Sequence, residues 1–530
     1  MNPRNDTTVD PEISTALELD HRSLLETIES MWPQIAPLQG ARLRDAVRSV
    51  PEKEWSHRPR ILMAVAASHR SVGSTSRSAA LPWLRSVNKL IRADPHSPLD
   101  LRAGYLVQLA TTLRTLGDQV KAREHLETVR HLLEEDLSGE VGRRIDTSAS
   151  FSLQLGLVRI HAGEFDEALF ALSLAEGLAD EHLSTAERVE CHSALAWVSF
   201  QLGDFDAAER QIDLATQHSE GTELLRSTFA ALAQITRFLL LVEREKTGTD
   251  LDLPLREVRI ASRNSDWEAT ALFAEAVVKH AAGSHIEALD LLGRVTRLLV
   301  SFSGPVVLRN EAGILRAECL RRLGDSDQAR RVLDGLAAGQ HHAPCPPRLL
   351  ALGLFTLGDP QGALDALRDC LELGDLHSSR TMSQIYAVAA AAHADLGDTV
   401  GSAISFDRAL LVAATNEVTW PFRGLPDEVL ARLLAGAAGR TQPASVAALI
   451  ERMHVSPPPA AHPLADPLSE RELVIVRHLT TGATLSQIGA ELFISVNTVK
   501  SHVRSIYRKL SATNRREAIA RAAQLGLSGD

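Results

Sequence analysis

QLGLVRIHAGEFDEALFAL at residues 154–172 and ALAWVSFQLGDFDAAERQI at residues 194–212 share one arrangement. In each stretch, apolar residues at helical spacing lead to a glycine and an acidic residue, and a second apolar helical pattern follows. Glycine interrupts a helix, and the few residues around it leave room only for a tight turn. Each stretch therefore predicts two helices that fold back on one another as a hairpin.

The same turn pattern recurs along the chain. The marker glycines are Gly117, Gly163, Gly203, Gly283, Gly324, Gly358 and Gly397. Their spacings are 46, 40, 80, 41, 34 and 39 residues, so the long interval predicts one further turn near Gly248. An alanine stands five residues after the glycine in all but the last unit, where Ala403 is six residues on. A small side chain there allows two antiparallel helices to approach closely.

Both quoted stretches resemble tetratricopeptide repeats, with a period longer than the usual ~34 residues. We therefore expect an all-α fold, a TPR-like solenoid of helical hairpins followed by a small four-helix domain. The alanines, leucines and aromatic residues of the repeats are interpreted as packing between hairpins. The concave face of a stacked solenoid commonly binds a partner, so a small-molecule or protein effector is expected there.

Composition divides the chain into regions. A Pro-rich segment, VSPPPAAHPLADP at Val455–Pro467, cannot continue a helix and predicts a semi-rigid linker. The expected domains are an N-terminal helical segment (1–100), the repeats (101–440), a helix and the linker (441–467), and a C-terminal domain (468–530). The four cysteines form no CxxC pair, and the chain has no signal-peptide pattern and no long apolar run. A cytoplasmic protein with no membrane contact is expected.

Net charge separates the C-terminal domain from the rest. The whole chain carries −11, whereas residues 466–530 hold nine basic and six acidic residues, a net +3, which leaves −14 for the remainder. Residues 493–516 hold six basic residues and no acidic one. Such a concentrated positive stretch is typical of a surface that binds phosphates.

The C-terminal domain shows four consecutive helix starts. Their capping residues are Ser469 with Glu472, Thr484 with Gln487, Ser495, and Asn514 with Glu517. The third helix, about 495–510, has a buried stripe formed by Val499, Val503, Ile506 and Leu510. A short helix that ends at Phe493, a turn through Ile494 and this third helix predict a helix-turn-helix.

The outer face of the third helix is polar and basic. It carries Asn497, Thr498, Lys500, Ser501, Arg504, Ser505 and Arg508. Arginine and lysine side chains can read guanine in the major groove, where O6 and N7 accept hydrogen bonds together. The alternative interpretation is an ordinary solvated helix face, which the four capped helices and the local charge disfavour.

LSERELVIVRHLTTG and IGAELFISVNTVKSHVRSIYRKL are similar to the LuxR/GerE-type DNA-binding domain, and the resemblance covers Leu468 to Leu527. The resemblance implies that Lys500, Ser501 and Arg504 face the bases. The expected phosphate contacts are Thr484, Ser495, Asn497, Thr498, Arg508, Lys509, Arg515 and Arg516. In this family the last helix often pairs two subunits, which implies a homodimer on DNA through Ala518, Ile519, Ala522 and Leu525. In a monomer the same stripe can pack inward instead.

RDAVRSVPEKEWSHRPRILMAVAASHRS at residues 44–71 looks like the middle section of large MalT-like regulators, which place an ATPase before such repeats. This sequence contains no Gly-Lys dipeptide, which a GxxxxGK[ST] phosphate loop requires, so ATP binding is not expected. His341, His342 and Cys345 are close in sequence but lack a fourth metal ligand. We expect no metal, no cofactor and no catalytic residues.

The sequence thus predicts a sequence-specific transcriptional regulator that binds double-stranded DNA and is not an enzyme. The alternative, from a different functional class, is a helical-repeat scaffold that binds a protein partner. In that case its C-terminal helices serve assembly alone. The basic face around Lys500 and Arg504 favours the regulator.

Overall fold

All regular structure in the described part of the chain is helical, which confirms the predicted all-α class. The computed structural model describes residues 20–70, 77–135, 145–244, 251–301, 306–323, 325–336, 345–374, 378–422, 424–454, 468–480, 483–492, 494–510, 512 and 515–524. The linker expected at Val455–Pro467 lies outside these ranges. Within them, no helix is both long and apolar enough to cross a bilayer.

The helices are numbered in chain order. Before the repeats, α1 to α4 span His21–Ser49, Glu52–Trp55, Pro59–Ser68 and Leu81–Ala93. Helices α5 to α13 span Leu99–Thr115, Gln119–Glu135, Ile145–Ala162, Phe165–Gly177, Ala179–His182, Thr185–Leu202, Phe205–His218, Ala231–Arg244 and Asp252–Ser262. Helices α14 to α21 span Glu268–Ala281, His285–Ser301, Val306–Arg322, Ser326–Asp334, Pro346–Thr356, Pro360–Leu373, Ser379–Asp395 and Thr399–Thr415. Two more, α22 and α23, span Asp427–Ala438 and Ala444–His454. The C-terminal helices α24 to α27 span Glu470–Thr480, Leu485–Glu491, Val496–Lys509 and Arg515–Gln524.

Consecutive helices pack as hairpins throughout the repeats. The packed pairs are α5/α6, α7/α8, α10/α11, α12/α13, α14/α15, α16/α17, α18/α19 and α20/α21. The marker glycines in described turns have positive φ, for example +79° at Gly163 and +86° at Gly203, which is the left-handed conformation that glycine adopts at little cost. Gly324 and the turn expected near Gly248 lie outside the described residues.

The small residue after each turn is buried where the two helices meet. The alanines five residues after the glycine, Ala122, Ala168, Ala208, Ala288, Ala329 and Ala363, are between 0% and 6% exposed. In the last unit this position is Ser402, which is buried, whereas Ala403 is only half-buried. The constant five-residue offset therefore decides which side chain enters the helix contact, and a serine is small enough to occupy it.

The hydrophobic residues form separate cores. Residues between Leu24 and Tyr105 form an N-terminal core, and a continuous core runs from Ala149 to Ile450 through the repeats and into α22 and α23. The four C-terminal helices share a core of their own, which includes Ile475, Ile488 and Val499. The C-terminal unit is therefore held together by its own apolar contacts.

A buried ionic network joins several of the first hairpins. The Arg114 side chain is fully buried and donates to Gln154 Oε1 at 3.2 Å, to Glu190 Oε1 at 3.1 Å and to Asp266. His161 Nε2 lies 3.2 Å from the same Asp266 carboxylate. Burial alone raises the pKa of Asp266, but Arg114 and His161 outweigh it and the pKa is lowered. The guanidinium of Arg70 also pairs with Glu190, so the two carboxylates of the network are balanced by two arginines inside the protein.

Candidate nucleic-acid interface

Side chains cap the first three C-terminal helices as the sequence predicts. The Ser469 N–H donates to Glu472 Oε2 at 2.7 Å, and Thr484 and Gln487 form a reciprocal capping box before α25. The Thr498 N–H donates to Ser495 Oγ at 3.1 Å at the start of α26. These bonds satisfy amide groups that have no partner inside the helix, so each helix starts at a defined residue. Asn514 and the side chain of Glu517 lie outside the described residues.

The turn between α25 and α26 is tight. Helix α25 ends at Glu491, slightly before the predicted end at Phe493, which is not among the described residues. The Ile494 N–H donates to the Gly489 carbonyl oxygen at 2.9 Å, and a Cβ atom on Gly489 would lie 2.9 Å from the Ile494 carbonyl oxygen. Gly489 therefore allows the close return of the chain, a role that the sequence analysis missed because the contact is specific to this turn.

The predicted apolar stripe of α26 is buried in the C-terminal core. Val499, Val503, Ile506 and Leu510 are 0%, 7%, 0% and 1% exposed. With this face packed against α24 and α25, the opposite face of α26 is directed to solvent. The helix-turn-helix predicted from the sequence is therefore present.

Three side chains of the solvent face stand out as candidate base contacts. Lys500, Ser501 and Arg504 are all exposed. Lys500 and Arg504 are four residues apart, so they lie one turn apart on the same side of the helix. This arrangement presents two cations and a hydroxyl group together on one helix face.

The candidate phosphate contacts differ from one another in how exposed their side chains are. Thr484 and Ser495 are exposed beside helix N-termini, Thr498 is half-buried, and the side chains of Asn497, Arg508 and Arg516 lie outside the described residues. Arg515 is half-buried, and its guanidinium donates to the Leu479 carbonyl oxygen at 2.7 Å. One donor of Arg515 is therefore used to join α27 to the end of α24.

Lys509 does not lie where the sequence analysis expected it. Its ammonium group is 3.1 Å from Glu472 Oε2, and the two side chains are only 13% and 5% exposed. The 37 residues between them hide this pairing from local sequence patterns. A lysine that neutralises a buried carboxylate is not available to a phosphate group, so we remove Lys509 from the candidate contacts.

Glu472 lies at the centre of the domain's polar contacts. Burial by itself raises the pKa of this carboxyl group, but hydrogen bonds from Ser505, the Ser469 N–H and Lys509 outweigh burial, so the pKa is lowered. The neighbouring Arg471 is also buried, and its guanidinium donates to the Leu492 carbonyl oxygen at 3.0 Å. Together these two side chains of α24 hold the end of α25 and the end of α26.

The expected dimer face is corrected in part. Ala518 and Ala522 are 1% and 0% exposed and belong to the core of the four-helix unit. Ile519 is half-buried against the same core, and Leu525 lies outside the described residues. A unit of four short helices has few apolar residues, and this alanine stripe is used to complete its own core. The inward packing considered for a monomer is therefore what the structure shows for both alanines.

The C-terminal unit also contacts the repeats. Glu470 Oε2, at the start of α24, lies 3.1 Å from Nε2 of the buried His285. Both residues line a cavity of about 520 Å³ in the repeats, with His280, Arg322 and Arg348 among its other polar lining residues. His341 and His342 lie outside the described residues, and Cys345 is buried with its Sγ atom 3.5 Å from Cys370 Sγ.

We expect a Glu472→Gln substitution to destabilise the C-terminal unit by about 1–3 kcal/mol at pH 7, because it leaves Lys509 without its buried counter-ion. Since the folded-state pKa of Glu472 is depressed, its contribution is present above the unfolded pKa of about 4.3 and is lost as the pH falls below it. Urea unfolding of residues 466–530, followed by circular dichroism between pH 7 and pH 3, measures both effects.

The matched control is Glu491→Gln. Glu491 is 62% exposed and lies 3.3 Å from His478, so its removal should change stability by less than about 0.5 kcal/mol. Equal losses in the two variants at pH 7 would contradict the role of Glu472.

Comparison with known families agrees with this geometry. Residues 466–522 match the family of bacterial regulatory proteins described as the luxR family. Residues 103–128, 189–213 and 310–334 match the tetratricopeptide repeat. These three segments fall on the hairpins α5/α6, α10/α11 and α16/α17.

Several curated proteins are similar over short segments. A nitrate/nitrite response regulator protein homolog of Haemophilus influenzae is 42% identical over 67 residues, 13% of this chain and 29% of the relative. The transcriptional regulatory protein YxjL of Bacillus subtilis is 31% identical over 106 residues, 19% of this chain and 49% of the relative. The HTH-type transcriptional regulator MalT of Vibrio cholerae is 39% identical over 59 residues, 11% of this chain and 6% of the relative.

The chain thus spans less than half the length of each of these relatives. It carries, at residues 466–522, a domain of the luxR family of bacterial regulatory proteins, downstream of tetratricopeptide repeats.

Proposed function

We propose that the protein is a transcriptional regulator that binds double-stranded DNA by placing α26 in the major groove. The observation that carries this proposal is the solvent face of α26, where Lys500, Ser501 and Arg504 are exposed together while the opposite face is buried. A helix with one buried face and one face of hydrogen-bond donors is suited to the major groove. The relatives named as transcriptional regulators agree with this function.

The candidate side chains divide into two roles in this proposal. Lys500 and Arg504 read base edges, with Ser501 beside them, because they are exposed while the Val499, Val503 and Ile506 side of α26 is buried. The backbone phosphates are contacted by Thr484, Ser495, Asn497, Thr498, Arg508, Arg515 and Arg516. Charge supports the assignment, since residues 493–516 contain six basic residues and no acidic one. In this proposal the protein acts by binding DNA in the cytoplasm, without catalysis.

Replacing Lys500 or Arg504 by alanine should cost about 1–3 kcal/mol of binding free energy on a cognate duplex and relax the preference at particular base pairs. Replacing Arg508 or Arg515 should weaken binding to cognate and scrambled duplexes alike and lower the salt slope by about one unit per lost contact. Fluorescence anisotropy at several salt concentrations, on a duplex selected from genomic DNA, gives both quantities.

Arg477→Ala is the control, because Arg477 is an exposed arginine on α24 rather than on α26. If Lys500→Ala and Arg504→Ala reduced both affinities equally, the assignment of base-reading residues would be wrong. If the wild type bound neither duplex, the helical-repeat scaffold with C-terminal helices used for assembly would become the better description.

We further propose that two copies bind DNA side by side through α27. Since Ala518 and Ala522 are buried inside each unit, the pairing must use the surface that α27 leaves uncovered, namely Arg521 and the part of Ile519 that does not contact the core. Paired units imply half-sites with centres about 10 bp apart or less.

Ile519→Glu should then lower the stoichiometry on a two-site duplex from two chains to one, as measured by sedimentation velocity. Two chains bound by that variant would refute pairing through α27.

The repeats are proposed to sense a small-molecule or protein effector and to restrain the DNA-binding unit. Two observations support this: the repeats and the N-terminal segment carry most of the negative charge, −14 in total, and Glu470 of α24 contacts His285 of the repeats. Because Lys500, Ser501 and Arg504 remain exposed, the restraint acts by holding the unit beside an acidic surface that repels DNA, not by covering the recognition face.

Removal of residues 1–455 should therefore raise DNA affinity most strongly at about 50 mM salt, and the gain should shrink at about 200 mM salt because the repulsion is screened. Full-length and truncated proteins are compared on one duplex at matched oligomeric state. Equal affinities at low salt would show that the repeats exert no restraint.

A further inference from the structure

Three metal-ligating side chains of the repeats meet beside the cavity. His280 lies at the end of α14, His285 begins α15 and Cys319 lies in α16. One ligand atom from each of these residues falls within 4.8 Å of the other two, and Cys319 Sγ is 3.5 Å from His280 Nδ1. The 39 residues between His280 and Cys319 hide this group from local sequence patterns.

The environment of these side chains is that of a formed binding site. His285 is 6% exposed, and its Nδ1 atom is buried with no hydrogen-bond partner among the residues that the structure describes. Cys319 is fully buried, and the Trp420 ring, whose centre lies 6.2 Å from the His280 ring centre with the two planes at 67°, helps to fix that imidazole. Buried polar atoms are normally satisfied, so the unpartnered nitrogen beside two other donors points to a missing ligand.

The separation of Cys319 and His280 already suits a tetrahedral cation, and the ligand atoms, which lie within 4.8 Å of one another, draw closer when an ion binds. Zinc bonds of about 2.0–2.3 Å to nitrogen and sulfur imply roughly 3.3–3.6 Å between neighbouring ligand atoms. The 3.5 Å separation of Cys319 Sγ and His280 Nδ1 falls in this range. Thiolate and imidazole are borderline-soft donors, which favour zinc over magnesium or calcium.

The DNA-binding unit holds one of these ligands from outside the group. Glu470 Oε2 lies 3.1 Å from His285 Nε2, and the carboxylate influences Cys319 electrostatically. A carboxylate that accepts from Nε2–H fixes the tautomer in which Nδ1 is free to bind a metal ion, as outer-shell partners of zinc-binding histidines commonly do. Two imidazoles and one thiolate leave the fourth position of a tetrahedral zinc ion to water or another exogenous ligand.

We propose that His280, His285 and Cys319 bind one zinc ion, and that Glu470 of the DNA-binding unit orients His285 for this role and so joins the two units through the site. On binding, the Cys319 S–H bond breaks, the sulfur electron pair forms the bond to zinc, and the proton passes to solvent. Because Glu470 belongs to the other unit, zinc binding and docking of that unit stabilise one another. This proposal goes beyond the proposed function and does not rest on DNA binding.

Cobalt(II) titration of the tag-free, metal-stripped full-length protein tests the site without DNA. Cobalt bound by a thiolate gives a ligand-to-metal absorption band, and zinc should displace it. We expect one ion per chain, loss of the band in Cys319→Ser, and an unchanged band in the control Cys191→Ser, whose thiol is also buried but lies in α10. No band in the wild type, or a band that persists in Cys319→Ser, would overturn the site.

The contribution of the DNA-binding unit is measured separately with Glu470→Gln, an exposed substitution that leaves the repeat core intact. Loss of the carboxylate that orients His285 should weaken cobalt affinity at least about tenfold, since loss of an outer-shell partner commonly costs 10–100-fold. An unchanged affinity would overturn the assignment of Glu470 and the link between the two units. Far-ultraviolet circular dichroism of each variant confirms the fold, and Glu470→Gln keeps the test decisive if Cys319→Ser does not fold.

Discussion

The buried carboxylate of Glu472 is the contact on which the geometry of the DNA-binding unit depends. It accepts a hydrogen bond from the Ser469 N–H at the start of α24 and lies 3.1 Å from Lys509 at the end of α26. A buried charge without a partner costs several kcal/mol, so the two helices are held where both charges are satisfied. This constraint, together with the packed stripe from Val499 to Leu510, decides which side of α26 faces outward. The exposure of Lys500 and Arg504 is a consequence of this packing.

The repeats are organised by a different constraint, the close approach of two helices after each glycine turn. A left-handed glycine such as Gly203 and a small residue such as Ala208 bring the helices together, and the resulting units stack into one continuous core. Stacking also places distant residues side by side, as with Arg114 and Asp266 in the buried ionic network. The cavity bordered by His285 arises in the same way, from neighbouring hairpins.

Local sequence patterns predicted the structural features that depend only on residues close together in the chain. The caps at Thr484 and Ser495 and the buried stripe of α26 follow from hydrogen bonds and periodicity within a few residues, and they are confirmed. What depends on distant contacts could not be predicted. Charge alone assigned Lys509 to phosphate, because the pattern does not show that its partner lies 37 residues away. The apolar character of Ala518 was recognised, but a stripe looks the same whether it packs within one unit or between two.

The contact between the two parts of the protein lies on the same helix turn that orients α26. Glu470 faces the repeats at His285, and Glu472, two residues later, faces the core and Lys509. The first turn of a capped helix moves as one element, because its backbone is fixed by the hydrogen bonds at Ser469. If the repeats act on the DNA-binding unit as proposed, this turn is where the two parts are joined, because it contacts His285 through Glu470 and the end of α26 through Glu472.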